Sequence, residues 1–489
     1  MSPSPRVPRC LAYVARFVTR ALAAIVTVAP GLQAQLAIRD VTVIDGTGAA
    51  PRPHQTVLVL RDRIAAVGDA GAVAIPPRTR IIDGRGKFLL PGFIDVHAHT
   101  SIGPVALDTS ARPPRMTARE DVAASREALR VLLAFGITTI RDPGGPTAST
   151  VALRDSLRLG LVTGPHMVTA GSIIDLSEAP GMVVTVRTES ELRAEVARQA
   201  AAGVDYVKLY ASLPAPLVRA GVDEAHKRGV RAIAHLFGTS WTEAATAGID
   251  GIVHITPGSP ALLTDEARPR FMQRFRGTQF MLEWFSFADL QSPQIREMTA
   301  ALVAHQVFLD PTLVIFESLA WGDSARILDG RDLAYAAPSI VTAWKRFSLT
   351  AGWKAEDFAA ARAAWPQVMA FTRHLYEAGV PLSAGTDIGN PFIVPGASFH
   401  RELQLLADAG IPPLEVLRIA TRGGARSLGL ESEVGRVAPG ALADLVLLDA
   451  DPVADIRHTR RISLVVQRGT ASTPAQLLPA RLRARGLAP

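Results

Sequence analysis

The sequence predicts an α/β protein: a (β/α)8, TIM-like barrel with a small composite β-sandwich domain formed from both chain ends. Three observations predict it. From Gly92 onward, short apolar runs alternate with longer stretches of helical periodicity, the pattern of strand–helix units. Polar residues recur at the C-terminal ends of those runs, where a parallel barrel gathers its functional groups. Before Gly92, and again after position 428, the texture is short β-branched runs separated by glycine turns.

Residues 1–34 contain Arg6, Arg9, Arg16 and Arg20, no acid, and the apolar run ALAAIVTVAPGL. They read as a signal peptide cleaved before Gln35, which implies an exported protein, periplasmic or secreted. The run is short for a membrane span and Pro30 interrupts it; no stable membrane anchor is expected once it is removed. The sole cysteine, Cys10, lies inside it. A mature chain without cysteine has no disulfide, no thiolate metal site and no thiol nucleophile. The net charge of +7 owes four positives to that segment, and Arg481, Arg483 and Arg485 sit at the other end. The body is near neutral, so nucleic acid is not an expected partner. At 48% hydrophobic and 20% charged residues, the composition excludes bulk disorder.

Residues 35–91 form the first part of the β-domain, in the runs AIRDVTVIDGTG, QTVLVLRDRIAAVG and TRIIDGRGKFLLPG. Residues 92–427 form the barrel. Its strands are FIDVHAH, ITTIRDPGG, HMVTAGS, YVKLYAS, VRAIAHLFG, DGIVHIT, VFLDPTL and PLSAGTDIG. Helical stretches such as ESELRAEVARQAAAG lie between them and end at glycine, as capped helices do. An open doubly wound sheet would fit the same lengths; the polar strand ends favour the barrel. Residues 319–373, with Trp321, Trp344, Trp353 and Trp365, read as a helical insertion and a candidate lid. Residues 428–470 return to short strands and complete the β-domain. Residues 471–489, rich in Pro, Ala and Arg, read as a flexible tail.

The chemistry sits at the strand ends. The first strand offers His97 and His99, one residue apart and so on one face of an extended chain. The fourth offers Lys208, the fifth His235, the sixth His254 and the eighth Asp387. Each stands in an apolar run, where an unpaired polar group is costly. One such residue could be a satisfied core group; six at strand ends, all of metal-ligand or partner type, are not explained that way.

These motifs resemble the amidohydrolase superfamily of metal-dependent hydrolases. The resemblance rests on PGFIDVHAH, the lysine strand, the two separated histidines, GTDIG and the closing ATRGGARSLGL…GRVAPGALADLVLLDADP, from about Val41 to Gly469. Within it the chain most resembles the imidazolonepropionase-like and prolidase-like branch. The resemblance implies two divalent metal ions. His97, His99 and Asp387 would hold the more buried one, and His235 and His254 the other. Lys208, carboxylated by carbon dioxide to a carbamate, would bridge them. With imidazole and oxygen ligands and no thiolate, zinc is the default metal, with manganese, cobalt and iron as alternatives. The implied activity is hydrolysis of a C–N bond, in an amide, cyclic amide or dipeptide, by a metal-bound hydroxide with Asp387 as general base.

Three further residues are candidate substrate contacts. Tyr210 follows Lys208 on the same face and could hydrogen-bond substrate or an oxyanion; barrel packing is its plain alternative. Arg141, in IRDPGG, could hold a substrate carboxylate, against a structural ion pair with an acid. His400, in SFHREL, could hydrogen-bond near the metals; a simple surface histidine is its plain alternative. His54, His166, His226, His305, His374 and His458 are read as structural. The chain departs from many prolidase-like members in two places. The loop GSIIDLSEAPGMV lacks a Gly-Gly-His-Gly stretch, and Leu236 and Phe237 follow His235. Both departures leave a dipeptidase assignment open.

A small-molecule or dipeptide substrate is therefore expected, and self-association is compatible with the family. One rival is a mononuclear, imidazolonepropionase- or deaminase-like enzyme with unmodified Lys208. Another is a non-catalytic periplasmic ligand-binding protein.

Overall fold

The computed structural model describes residues 35–112 and 115–487; the expected signal peptide lies outside the described residues. β-branched runs between glycine turns form β1 (Gln35–Val43), β2 (Arg52–Leu60), β3 (Arg63–Asp69), β4 (Arg80–Asp83) and β5 (Phe88–Pro91). The far end of the chain supplies β17 (Leu445–Leu448), β18 (Ile462–Gln467) and β19 (Thr470–Ser472). β5 joins the two halves, pairing parallel to β1 and antiparallel to β17. The hydrogen bonds unite both ends in one mixed sheet, ordered β19-β18-β17-β5-β1-β2-β3 with β4 beside β1.

β17 is buried on both faces because alternate residues serve different cores. Leu445 and Leu447 pack with Ile38, Val43 and Leu89 in the core of the β-domain. Val446 and Leu448 pack into the barrel's core. Leu447→Ala, at a side chain 1% exposed, is expected to destabilise the fold by about 2–5 kcal/mol, read as a lower urea midpoint.

The barrel begins with β6 (Phe93–Asp95), which pairs parallel to β9 (Ile137–Asp142), itself parallel to β10 (His166–Thr169). A parallel bridge from Ala170 to Tyr206 leads on to β13 (Tyr206–Leu209), β14 (Arg231–Ala234), β15 (Gly251–Val253) and β16 (Phe308–Asp310), each parallel to the next. The segment PLSAGTDIG closes the ring by bridges, Leu309 to Leu382 on one side and Ala98 to Ile388 on the other. It runs irregularly because Asp387 has φ +66° and Gly389 φ +108°. These parallel neighbours make the chain the (β/α)8 barrel the sequence predicts.

Short elements cover the C-terminal face. β7 (Val105–Asp108) and β8 (Arg115–Ala118) form an antiparallel hairpin over the first strand's end. β11 (Ile173–Asp175) and β12 (Val183–Thr185) occupy the loop after β10. Ile102, Ala118, Ala179 and Met182 join these two coverings in a small apolar cluster of their own. Sequence reading did not find the hairpin, whose strands are too short to show periodicity. Helix Leu313–Ala320 runs up to the region read as a helical insertion, and helices Pro338–Trp344 and Ala355–Glu377 lie largely within it.

The tail is docked where flexibility was expected. Short helices Pro474–Leu477 and Ala480–Arg483 follow β19, and Leu478 and Leu482 are fully buried. Arg481 donates to Glu127 at 2.7 Å and to the carbonyls of Ala334 and Ala336 at 2.9 and 2.8 Å. Two leucines one helical turn apart, buried against the barrel, outweigh a composition that reads as loose. Among the described residues, no helix is long and apolar enough to cross a membrane.

Candidate metal centre

His97 and His99 follow β6 directly, and Asp387 comes back to meet them from the closing segment. Glycine makes that approach possible. A Cβ at Gly385 would lie 2.8 Å from the Cβ of His97, and one at Gly389 would lie 2.9 Å from that of His99. Asp387 donates its backbone N–H to the His97 carbonyl at 2.7 Å. Its Oδ1 then stands 3.3 Å from His97 Nε2 and 3.4 Å from His99 Nε2. Its Oδ2 is 3.8 Å from His254 Nε2. His97, His99 and Asp387 thus form a group able to share one ion.

The remaining candidate ligands adjoin it. The His254 ring centroid is 4.8 Å from that of His97 and 4.4 Å from that of His235. Lys208, within β13, is 1% exposed and lines the same cavity as the four histidines and Asp387. His254 and Asp387 both have left-handed backbones, φ +71° and +66°. Such strain costs about 1–2 kcal/mol per residue and persists where surrounding contacts impose it.

Partners fix the imidazoles. His99 Nδ1 donates to the Gly144 carbonyl at 2.8 Å, so its Nε2 carries the lone pair that faces Asp387. His254 Nδ1 bonds Thr312 Oγ1 at 2.7 Å, which turns Nε2 inward. His97 Nδ1 is 3.4 Å from Asp310 Oδ2. Neither ring nitrogen of His235 has a hydrogen-bond partner, although both are buried.

Burial sets the charges. It pushes the His235 imidazolium down to about 3, helped by the neighbouring Lys208 ammonium. Burial, with His235 alongside, holds His254 well below the ordinary range, and burial lowers His99. Burial opposes the charge on His97 too, but the Asp387 and Asp310 carboxylates outweigh it and raise that pKa. The Lys208 ammonium falls to about 7 by desolvation. For Asp387 burial is likewise overcome, chiefly by His97, and its carboxyl is held well below the usual carboxylate range. Imidazole nitrogens turned toward an ionised carboxylate, three of the four rings held neutral by burial, fit a divalent ion with nitrogen and oxygen ligands.

Of the three candidate substrate contacts, the cavity receives one. Tyr210 lines it, edge-on to His235 with centroids 4.9 Å apart. Arg141 is turned away into a buried ion pair, Nη2 to Asp310 Oδ2 at 2.7 Å. It is 3% exposed, its guanidinium is over the Tyr206 ring, and it is not a wall of the cavity. His400, too, lies outside the cavity walls. Its nitrogens bond Thr459 Oγ1 at 2.9 Å and the Phe135 carbonyl at 3.0 Å. It borders a separate cleft on the other side of helix Leu313–Ala320.

Several supporting acids escaped sequence reading. Asp95 accepts from the His97 N–H at 3.0 Å and from Thr386 Oγ1 at 2.6 Å. Asp142 Oδ2 accepts from the N–H groups of Thr100 and Ser101, both at 2.9 Å. Asp310 joins Arg141 to His97. Glu402, fully buried, accepts from the N–H groups of Leu313 and Val314 at 2.9 and 2.8 Å. It thereby caps the helix whose preceding residue, Thr312, holds His254. Asp95, Asp142 and Asp310 close apolar strands just as the histidines do, so the strand-end rule applied to carboxylates would have found them.

A parallel barrel that gathers four imidazoles, a lysine and a carboxylate at its strand ends defines a metal-dependent hydrolase. Residues 88–471 match the Amidohydrolase family. The chain belongs to that family and is a hydrolase of carbon–nitrogen bonds. A Mycobacterium tuberculosis protein of uncharacterised function is 26% identical over 455 residues, covering 86% of this chain and 98% of its own. The imidazolonepropionase of Streptomyces griseus is 36% identical over 109 residues, 21% of this chain and 25% of that enzyme. A crystal structure of a candidate prolidase from Bifidobacterium longum superposes with a TM-score of 0.64 at 26% identity, covering 90% of this chain and 95% of that one.

Proposed function

We propose that this protein hydrolyses an amide bond at a centre for two divalent ions, with zinc as the default. His97, His99 and Asp387 would hold one ion and His235 and His254 the other, with Lys208, as a carbamate, an oxygen ligand to the pair. One observation carries the reading. A single carboxylate, Asp387, stands within 4 Å of three imidazole nitrogens from two strands, at 3.3, 3.4 and 3.8 Å.

When bound, the ions supply acidity to a water and polarisation to the scissile carbonyl. The chain's own residues do the rest. Asp387, kept ionised by His97, accepts the proton that the water gives up as its oxygen adds to the carbonyl carbon. It hands that proton to the leaving nitrogen as the C–N bond breaks. Tyr210 keeps its proton, because burial pushes its pKa up. Its hydroxyl is therefore available as a donor to substrate oxygen. The walls of the cavity exclude bulk water and orient the amide.

Metal analysis with turnover tests this reading. Chelated protein is expected to be inactive. Reloading with zinc in the presence of bicarbonate should restore about two ions per chain and hydrolysis of an amide, a cyclic amide or a dipeptide such as Gly-Pro, the class suggested by the prolidase and imidazolonepropionase relatives. One ion per chain with full activity, independent of bicarbonate, would instead support the mononuclear reading, since His97, His99 and Asp387 alone make a three-ligand site. Export also belongs to the proposal, on the strength of residues 1–34; mature protein starting at Gln35 outside the cytoplasm is its test.

A further inference from the structure

We propose that the centre acts on N-acylated amino acids with a long or bulky apolar acyl group, in preference to zwitterionic dipeptides. The proposal rests on the amide-hydrolase reading above and adds the substrate class. The cavity over the metal ligands has a volume of about 950 Å³, at the top of the roughly 300–1,000 Å³ range of small-molecule sites. A dipeptide would leave most of it empty.

Its walls are apolar on two sides. Met116, Met182 and Val183 line it from the hairpin and the loop after β10, and Met281, Phe316 and Leu319 from the helical side. Unbranched methionines adapt to an alkyl or aryl group of variable shape. The loop after β10 is where the sequence departs from prolidase-like members, and it contributes wall residues in place of a polar glycine–histidine stretch.

Charge matches the same class. A dipeptide brings an ammonium that needs an acceptor, since burying it unpaired is costly. Among the described residues, the carboxylates lining the cavity are Asp387 and Glu178. Asp387 is taken by the imidazoles. Glu178 is taken by Arg115 at 2.9 Å and Arg187 at 3.7 Å. N-acylation removes that ammonium. The other end of the substrate has a partner. Arg112 lines the cavity, donates only to the backbone carbonyls of Thr109 and Ala111, and has no carboxylate beside it among the described residues. A substrate carboxylate would complete it.

The test uses the full mature chain, loaded with zinc, and N-acetyl-, N-octanoyl- and N-dodecanoylglycine beside Gly-Pro. The ratio kcat/KM is expected to rise along the acyl series by up to about fourfold per methylene until the cavity fills, with Gly-Pro the poorest substrate. Met182→Asp should flatten the series. A second measurement needs no turnover: calorimetry on Asp387→Asn should find dodecanoylglycine bound at least about tenfold tighter than acetylglycine. A flat or falling series, a preference for Gly-Pro, or equal binding of the two acylglycines overturns the proposal. If nothing is hydrolysed but the tenfold preference in binding holds, the hydrolase reading fails and the apolar-acyl site stands.

Discussion

Asp387→Asn is expected to lower kcat by about 10²–10⁴-fold while leaving the fold intact. The carboxamide keeps an oxygen for an ion and a similar volume, but it cannot accept a proton at neutral pH. Asp387 is poised for that role because His97, His99 and His254 surround it and hold it ionised despite full burial of the site. Metal content measured alongside kcat separates the two functions of the residue. A large fall in kcat at unchanged metal content identifies the base. A variant that keeps wild-type kcat with its ions in place would remove Asp387 from the proton path.

Arg141→Met is expected to cost about 3–5 kcal/mol of stability, the penalty for leaving a buried charge without its partner. The stranded group is Asp310, 2% exposed, whose Oδ2 accepts from Arg141 at 2.7 Å and faces His97 Nδ1 at 3.4 Å. Denaturant unfolding should show the loss, and metal content should fall with it, because the carboxylate that orients His97 is released. Arg141→Lys keeps the charge but loses the planar fork, so an intermediate loss is expected. An Arg141→Met protein as stable as wild type would mean that the pair contributes nothing, and that Arg141 was free to serve substrate after all.

The six candidate ligand positions were legible because the signal is local. A histidine, lysine or aspartate closing an apolar run is conspicuous in one dimension, and the barrel rule says what strand ends share. The same logic, extended from His97 and His254 to Asp95, Asp142 and Asp310, would have read the supporting carboxylates. Arg141 shows the limit. Its place at a strand end was visible, but whether it faced substrate or an acid depended on Asp310, 169 residues away. His400 was misplaced for a similar reason. It opens a helix after the last strand, yet that helix turns the imidazole toward Phe135 and Thr459, not into the cavity lined by His97, His99 and Asp387.

The sequence by itself determined the strand–helix alternation, the pairing of both chain ends in one β-domain and the residue types at the metal centre. Each follows from periodicity or from chemistry carried by neighbouring residues. Only the tertiary structure decided the shape and polarity of the cavity, the docking of the tail through Leu478, Arg481 and Leu482, and the capping of the Leu313–Ala320 helix by Glu402 from 89 residues away. Those features exist where distant surfaces meet. Contact there is set by which faces the folded barrel brings together, a quantity that no window along the chain contains.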